Sequence, residues 1–366
     1  MALIALNAAP ELRRETICLL ARQLEDWWPD RRQARPKKSL ASRACSSRQL
    51  RLARLVARRA DRTAAEQLER ASRAEARIHT LADPDYPERL RALDLPPPVL
   101  YCRGTLPPED MVAIVGSRSA DSYAIEVAEL FSRGLAEAGL TIVSGFARGV
   151  DTAAHRAAIS VQDGRTVAVL GCGLDVEYPR GSSSLAQQVS VTGSLVSEFP
   201  FGAQPLSRNF PIRNRIIAAF SLGTLVVQAT ERSGSLITAR LATELGRDVW
   251  AVPGRIFDPR AAGPNGLIRD GALLVQQPRD VLESLSLAER DRLRPPRTAA
   301  PRSTTPPTPE PDSPVLEAIR LDEAVSGEKL AARTGLAIED VLARLLELEL
   351  SGWVRRLPGP TFSRHG

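Results

Sequence analysis

The 366-residue sequence contains no uninterrupted apolar run of about 18 residues, the minimum for a membrane-spanning helix. Its first residues also lack a compact apolar stretch followed by a small-residue cleavage site. We therefore expect neither a membrane span nor a classical secretory signal.

Cysteine is scarce, and the cysteines are scattered without a Cys-x-x-Cys pair: Cys18, Cys45, Cys102 and Cys172. Neither a disulfide framework nor a zinc site is indicated, and the pattern favours a reducing cytoplasm. The central part of the chain has no cluster of carboxylates suited to a metal ion. We expect no metal site and no cofactor.

Two nucleotide-binding signatures are also missing. The sequence has no G-x-x-x-x-G-K-[ST], which argues against a P-loop nucleotidase. Gly171-Cys172-Gly173 is not followed by the third glycine of G-x-G-x-x-G, so the dinucleotide fingerprint is absent.

Positive charge is unevenly distributed along the chain. Residues 1–99 hold 20 Lys and Arg against 13 Asp and Glu, whereas residues 100–366 hold 29 against 30. The excess behind the net charge of +6 therefore lies in the N-terminal part. In the rest of the chain, only the placement of individual arginines can indicate a nucleic-acid surface.

Composition divides the chain into four parts. Residues 1–80 carry Ala, Arg, Glu and Leu at helical spacing and predict a helical domain. Residues 81–290 alternate short apolar runs with amphipathic stretches. Residues 291–312, rich in Arg, Pro, Thr and Ser, predict a semi-extended linker. Residues 313–366 have the order helix, turn, helix and hairpin, which is typical of a winged-helix domain.

Short apolar runs in the second part predict strands at 112–115, 141–143, 167–170, 194–196, 225–227 and 249–252. Helix-like segments lie between them, near 123–138, 149–161, 182–191, 212–221 and 235–246. Apolar strands that alternate with helices are typical of a parallel sheet covered on both faces. The predicted fold class is α/β, with a doubly wound Rossmann-like sheet.

Ligands of such sheets bind beyond the carboxyl ends of the strands, and Gly/Ser turns and arginines follow the predicted strands. Glycines permit close approach, helix N-termini present N–H groups to anions, and guanidinium groups suit phosphate. The candidate phosphate-binding residues are Gly116, Ser117, Arg118, Ser144, Gly145, Ala147, Arg148, Gly149, Arg213, Asn214, Arg215, Ser233, Gly234 and Ser235.

Each of these signals also has an ordinary interpretation. A Gly-Ser-Arg triplet is common in strand-to-helix turns, and Arg213 and Arg215 could pair with surface carboxylates. Because three Gly/Ser turns fall at strand ends of one predicted sheet, a phosphate-lined pocket is the better interpretation. The kind of phosphate compound stays open at this point.

Asp151 and His155 lie four residues apart on a predicted helix and so share a face. They could form an acid–base pair, but a structural hydrogen bond that holds the helix start is the favoured interpretation. We assign both a pocket-supporting role and name no catalytic residue.

Several stretches, in their order, resemble the DNA-processing protein A family, also called Smf, over nearly all of residues 80–366. They are Val112–Arg118, Ser144–His155, Val169–Pro179, Phe210–Ala218, Ser233–Ala239, Ala251–Gly254 and Gly263–Ile268. The tail resembles the winged-helix domain that many members carry. Members often begin with a SAM-like helical domain, whose expected glycines are missing from this divergent N-terminal part. It has instead the arginines Arg43, Arg48, Arg51 and Arg54, and three interpretations stay open: a divergent domain, a partly disordered one, or one reworked as a basic surface. A basic arm that contacts DNA non-specifically is an added hypothesis.

The resemblance implies a cytoplasmic protein that is not an enzyme and forms a homodimer through the Rossmann-like domain. It implies binding and protection of incoming single-stranded DNA, and loading of the RecA recombinase during natural transformation. It further implies that Gly116–Arg118, Ser144–Gly149, Arg213 and Arg215 line the pocket for the DNA backbone. Such contacts give little sequence preference and strong salt dependence.

Two other functional classes remain as alternatives. A phosphoribohydrolase-like, nucleotide-processing enzyme has a similar fold, but such enzymes carry a P-G-G-x-G-T turn where this chain has Glu231–Ser235. A regulator could instead act mainly through the C-terminal module. Its second predicted helix, 338–350, carries Glu339, Asp340, Glu347 and Glu349 against Arg344. This excess of acidic residues favours protein contact or autoregulation over binding in a DNA groove.

Overall fold

The computed structural model describes residues 2–8, 60–106, 110–293, 313–320, 323–351, 353–357 and 361–364. The chain forms two compact units, Met1–Arg297 and Thr298–Gly366. Most of the predicted N-terminal helical domain, including its basic arm, and most of the predicted linker lie outside the described residues.

The first unit is built on a nine-stranded sheet with the order β1-β2-β6-β5-β4-β3-β7-β8-β9. Its strands are β1 (Ala76–Thr80), β2 (Val99–Gly104), β3 (Met111–Val115), β4 (Thr141–Ser144), β5 (Thr166–Val169), β6 (Ser194–Ser197), β7 (Gly223–Val226), β8 (Asp248–Ala251) and β9 (Leu273–Leu274). Strands β1 and β2, and β2 and β6, pair antiparallel, and the other neighbours are parallel. The six predicted strands are β3 to β8, and the predicted fold class is confirmed.

Helices precede, connect and follow these strands. They are α1 (Ala2–Asn7), α2 (Ala60–Arg73), α3 (Glu88–Arg91), α4 (Ser122–Glu137), α5 (Val150–Ile159), α6 (Ser183–Thr192), α7 (Asn209–Phe220), α8 (Gly234–Glu244), α9 (Ala262–Arg269), α10 (Pro278–Ser284) and α11 (Leu287–Arg290). No helix among the described residues is long and apolar enough to cross a membrane.

Strand β3 shows why the central strands read as continuous apolar runs. Val112 and Ile114 belong to a core cluster with Phe131 of α4, whereas Ala113 belongs to a second cluster with Phe220 of α7. Successive side chains of a strand point to opposite faces, so a strand with helices on both sides is apolar at every position.

Strand β1 was not predicted, and residues 76–80 fall in the part of the sequence that we assigned to the helical domain. Its residues include Arg77 and His79, and none of its side chains is fully buried. As the outermost strand, it lacks the continuous apolar run by which the central strands are recognised.

The winding order of the strands positions a crevice. The chain runs from β3 through β4 and β5 to β6 on one side, and then continues with β7 on the other side of β3. In a doubly wound sheet, such a reversal opens a crevice at the carboxyl ends of the two central strands. The turns after β3 and β7 therefore border the expected site.

The second unit contains the predicted series of helix, turn, helix and hairpin, preceded by a short helix and a short strand that were not predicted. It contains α12 (Pro314–Glu317), β10 (Val325–Ser326), α13 (Gly327–Thr334), α14 (Ile338–Leu350), β11 (Val354–Leu357) and β12 (Thr361–Arg364). Its small sheet has the order β10-β12-β11. Leu330, Val341, Leu345 and Phe362 pack in its core. This is the arrangement of a winged helix.

Candidate functional site

The turn after β3 (116–118) and the turn after β4 (144–149) pack against each other. Gly149 has a φ of +76°, and a Cβ atom at this position would clash with the Ser117 carbonyl oxygen. Only glycine fits there. The Val150 amide donates to the same carbonyl oxygen at 3.2 Å. The structure therefore brings these two predicted turns together.

Arg213 lies beneath the second turn and is only 3% exposed. Its Nη1 donates to the carbonyl oxygens of Gly145, at 2.5 Å, and Val169. A Cβ atom on Gly145 would lie 2.6 Å from that Nη1 and 2.7 Å from Oδ2 of Asp151. The glycine makes room for a buried guanidinium and carboxylate that support the turn from inside.

Asp151 and Arg213 form a buried pair of opposite charge. The Asp151 carboxylate is 6% exposed and accepts a hydrogen bond from the Ala147 amide at 3.2 Å. Burial raises the pKa of Asp151, and the Arg213 guanidinium opposes that rise. Burial lowers the pKa of Arg213 to about 10, against the influence of Asp151. Arg213 therefore stays protonated near neutral pH.

His155 is fully buried behind this pair. Its Nδ1 lies 2.6 Å from the Thr166 hydroxyl, which donates to the Ile142 carbonyl at 2.7 Å. Because a hydroxyl has one hydrogen, we assign the donated proton between the two side chains to Nδ1 of His155. Burial, reinforced by Arg213, lowers the pKa of His155 to about 3, so the ring is neutral. Asp151 and His155 bond to different partners, which supports the structural interpretation of the two residues.

The third predicted turn is connected to helix α7. The Asn214 side-chain amide donates to the Gly234 carbonyl at 3.1 Å. The hydroxyls of Ser233 and Ser235 lie 2.7 Å apart, and Ser233 is the N-cap of α8. These hydrogen bonds hold the start of α8 against α7.

Arg215 is directed into the interior and forms an ion pair with Glu198, which is fully buried. The Glu198 carbonyl accepts a hydrogen bond from the Asn7 side chain at 2.9 Å, which ties α1 to the same place. These contacts give Arg213 and Arg215 a structural role, and a contact of either arginine with a ligand stays a prediction. Arg213 binds two backbone carbonyls beside Asp151, and Arg215 pairs with Glu198, although Nε of Arg213 and Nη1 of Arg215 are buried without a hydrogen-bond partner among the described residues.

Arg118 and Arg148 are the exposed arginines of the predicted set. The guanidinium carbon of Arg118 lies 4.8 Å from the centroid of the Phe210 ring, within the range of a cation–π contact. The Tyr178 ring lies 5.3 Å from the same ring, tilted by 38°. We call Arg118, Phe210 and Tyr178 the stacking surface.

The sequence reasoning did not single out the two aromatic residues of the stacking surface. A usable signal was present, because Phe210 precedes Arg213 by three residues at the start of a helix and so lies on the same side. The surface offers a guanidinium for phosphate and an aromatic ring for a flat partner. Among the described residues, no group of three or more His, Cys, Asp and Glu side chains is placed to hold a metal ion.

Comparison with known families gives two matches. A family model described as DNA recombination-mediator protein A matches residues 77–286. A second model, described as the DprA winged helix domain, matches residues 298–360.

Two curated proteins show the extent of the sequence similarity. Protein Smf of Escherichia coli (strain K12) is 42% identical over 279 residues, which are 75% of this chain and 74% of that protein. DNA processing protein DprA of Streptococcus pneumoniae (strain ATCC BAA-255 / R6) is 43% identical over 208 residues, 56% of this chain and 72% of that protein.

Two solved structures share the fold. DNA processing protein A from Streptococcus pneumoniae has a TM-score of 0.64 and 33% identity, covering 77% of this chain and 96% of that chain. DNA processing protein A from Helicobacter pylori, whose structure is described as giving insight into its unique single-stranded DNA binding mode, has a TM-score of 0.51 and 30% identity. That match covers 57% of this chain and 95% of the other. The chain belongs to the DNA recombination-mediator protein A (DprA/Smf) family.

Proposed function

We propose that this chain is a binding protein, not an enzyme, that holds single-stranded DNA at the stacking surface. In this role it protects incoming DNA in the cytoplasm and loads RecA during transformation. The observation that carries the proposal is the exposed Arg118 guanidinium over the half-buried Phe210 ring, at the edge of the sheet where ligands bind.

The chemistry of the stacking surface suits a single strand better than a duplex. An aromatic ring can stack on any base, provided that the base is not already stacked inside a helix. A guanidinium binds the phosphate backbone irrespective of sequence. The two groups together predict binding with little sequence preference. The single-stranded DNA binding described for the Helicobacter pylori relative supports this proposal.

Fluorescence anisotropy with labelled single-stranded and duplex oligonucleotides, over a salt series, tests the proposal. We expect preference for the single strand and a loss of affinity on raising the salt concentration. Arg118→Ala should weaken single-strand binding about tenfold or more, since it removes both a phosphate contact and the cation above Phe210. Phe210→Leu should weaken it by about 1–3 kcal/mol through lost base stacking.

A matched control is Arg240→Ala, because Arg240 is exposed on α8 and pairs with Glu244 at 2.9 Å. It changes the net charge as Arg118→Ala does but should leave binding unchanged. Equal affinity for single strand and duplex would refute the proposal. So would an Arg118→Ala protein that binds as the wild type does.

The proposed homodimer is supported by the edge of the sheet. Strand β9 is the last strand on its side, and Leu273 and Leu274 are 47% and 44% exposed. Exposed apolar side chains on a sheet edge favour pairing with another chain. A sizing measurement with and without a short single-stranded oligonucleotide checks this, and RecA filament assembly on DNA with and without the protein checks the loading role.

A further inference from the structure

A cleft of about 210 Å3 lies between helix α5 and the start of helix α6. We call it the arginine cleft, because it is lined by Arg148, Arg156 and Arg180 together with Thr152, Ser182 and Ser184. Only Arg148 belongs to the phosphate-binding set predicted from the sequence. The sequence contains a partial indication of the other cleft residues, because Thr152 and Arg156 are four residues apart and so share one helix face.

The three arginines differ from many others in this chain. Each is exposed, and none forms an ion pair or a side-chain hydrogen bond with another described residue. By contrast, Arg260 pairs with Asp121 at 2.9 Å, and Arg292 pairs with Asp110 at 2.8 Å. Like charges gathered in a cleft repel one another, and a bound anion would relieve that repulsion.

The carboxylate of Glu177, next to the cleft, forms hydrogen bonds within its own loop. Glu177 accepts hydrogen bonds from the Ser183 hydroxyl at 2.7 Å and the Gly181 amide at 3.0 Å. These hydrogen bonds, that from Ser183 first, lower the pKa of Glu177, which therefore stays ionised while it fixes the loop that carries Arg180 and Ser182. Within the described part of the chain, this carboxylate therefore does not neutralise the three arginines.

The size of the cleft and its position limit what this partner can be. At about 210 Å3, it is smaller than the 300–1,000 Å3 of sites that enclose a drug-sized ligand, so a phosphate group fits its size better than a whole nucleotide. Arg148 belongs to the turn that packs against Gly116–Arg118, and Pro179, which lines the cleft, directly follows Tyr178 of the stacking surface. The cleft therefore lies next to the stacking surface. We propose that the arginine cleft binds a second phosphodiester of the same DNA strand.

This inference rests on the proposed function, and a comparison of oligonucleotide lengths tests it. Oligo(dT) of about 5 and about 20 nucleotides would be titrated by anisotropy over a salt series, on the full chain. For Arg156→Ala, we expect about fivefold weaker binding of the long oligonucleotide and unchanged binding of the short one. The slope of log affinity against log salt should become shallower by about 0.7, the value for one lost contact to a single strand. Arg240→Ala again serves as the control.

The inference would be overturned if Arg156→Ala bound the long oligonucleotide with the affinity and salt slope of the wild type. It would also be overturned if the variant lost affinity equally for the long and the short oligonucleotide. A second arm separates this failure from failure of the proposed function. Inorganic pyrophosphate should raise the thermal unfolding temperature of the wild type more than that of Arg156→Ala. If the wild type binds no oligonucleotide and yet shows this difference, the cleft is a site for free phosphate compounds, and both proposals about DNA are wrong.

Discussion

Arg118 and Arg213 both lie against the Phe210 ring, with guanidinium carbons 4.8 Å and 5.9 Å from its centroid, yet their environments are opposite. Arg213 is buried, binds two backbone carbonyls and faces Asp151. Arg118 is exposed. The inner arginine has its charge balanced within the protein, whereas the outer one presents its charge to solvent. Residue type alone therefore does not identify a phosphate ligand, and burial separates the arginine that builds the site from the one that we propose contacts DNA.

The largest effect that this comparison predicts is on stability. Arg213→Ala should lower the free energy of unfolding by about 3–5 kcal/mol, because Asp151 is left buried without its partner. Arg118→Ala should change it by less than about 0.5 kcal/mol, as is usual at an exposed position. Urea unfolding of the two variants measures both values.

A second substitution checks the cause. Adding Asp151→Asn to Arg213→Ala removes the uncompensated charge and should recover part of the lost stability. If the two single arginine variants were equally stable, the distinction between an inner and an outer arginine would fail.

An effect of intermediate size is expected on the pH dependence of the free energy of unfolding. Burial lowers the pKa of His155 to about 3, below its ordinary value near 6.5, so the unfolded chain binds a proton that the folded chain does not. Stability should therefore fall as pH decreases through 6.5, with a contribution of about 1.5–2 kcal/mol between pH 6.5 and 5. Unfolding free energies of the wild type and His155→Asn across this range measure the difference.

Asparagine keeps a donor for the Thr166 hydroxyl but does not titrate, so the pH dependence of His155→Asn should be weaker by this amount. If the pH dependence of His155→Asn equalled that of the wild type, His155 would be protonated in the folded protein as it is in the unfolded one. The burial of His155 and the nearby charge of Arg213 argue against this.

The smallest effect on single-strand affinity is expected from a substitution in the second unit. Arg344 of α14 is half exposed and pairs with Glu347 at 2.8 Å, on a helix that also presents Leu342, Leu346 and further acidic residues to solvent. Arg344→Ala should leave single-strand affinity within about twofold of the wild type, because a paired arginine on an acidic helix attracts little phosphate. If Arg344→Ala lost as much single-strand affinity as Arg118→Ala in the same anisotropy assay, any exposed arginine would be sufficient for binding, and the environment of Arg118 would not matter.

Much of the framework could be predicted from local patterns. The central strands are continuous apolar runs, and α14 has the predicted bounds because its apolar spacing is regular. The Gly/Ser turns were placed at the strand ends for the same reason. The contacts between distant side chains could not be predicted. Arg213 donates to the carbonyl of Gly145, which is 68 residues away in the sequence. Arg215 pairs with the carboxylate of Glu198, which lies outside its own helix. The arginine cleft likewise forms only when α5 and the loop before α6 lie side by side.

The interlocked turns after β3 and β4 determine where the entropic cost of binding falls. The Ser117 carbonyl accepts the Val150 amide, and Gly149 permits no side chain between the turns, so neither turn can move without displacing the other. A rigid surface loses little conformational freedom when a ligand arrives. Under the proposed function, the ordering on binding is then borne by the single strand, which adapts its backbone to positions that the protein has fixed in advance.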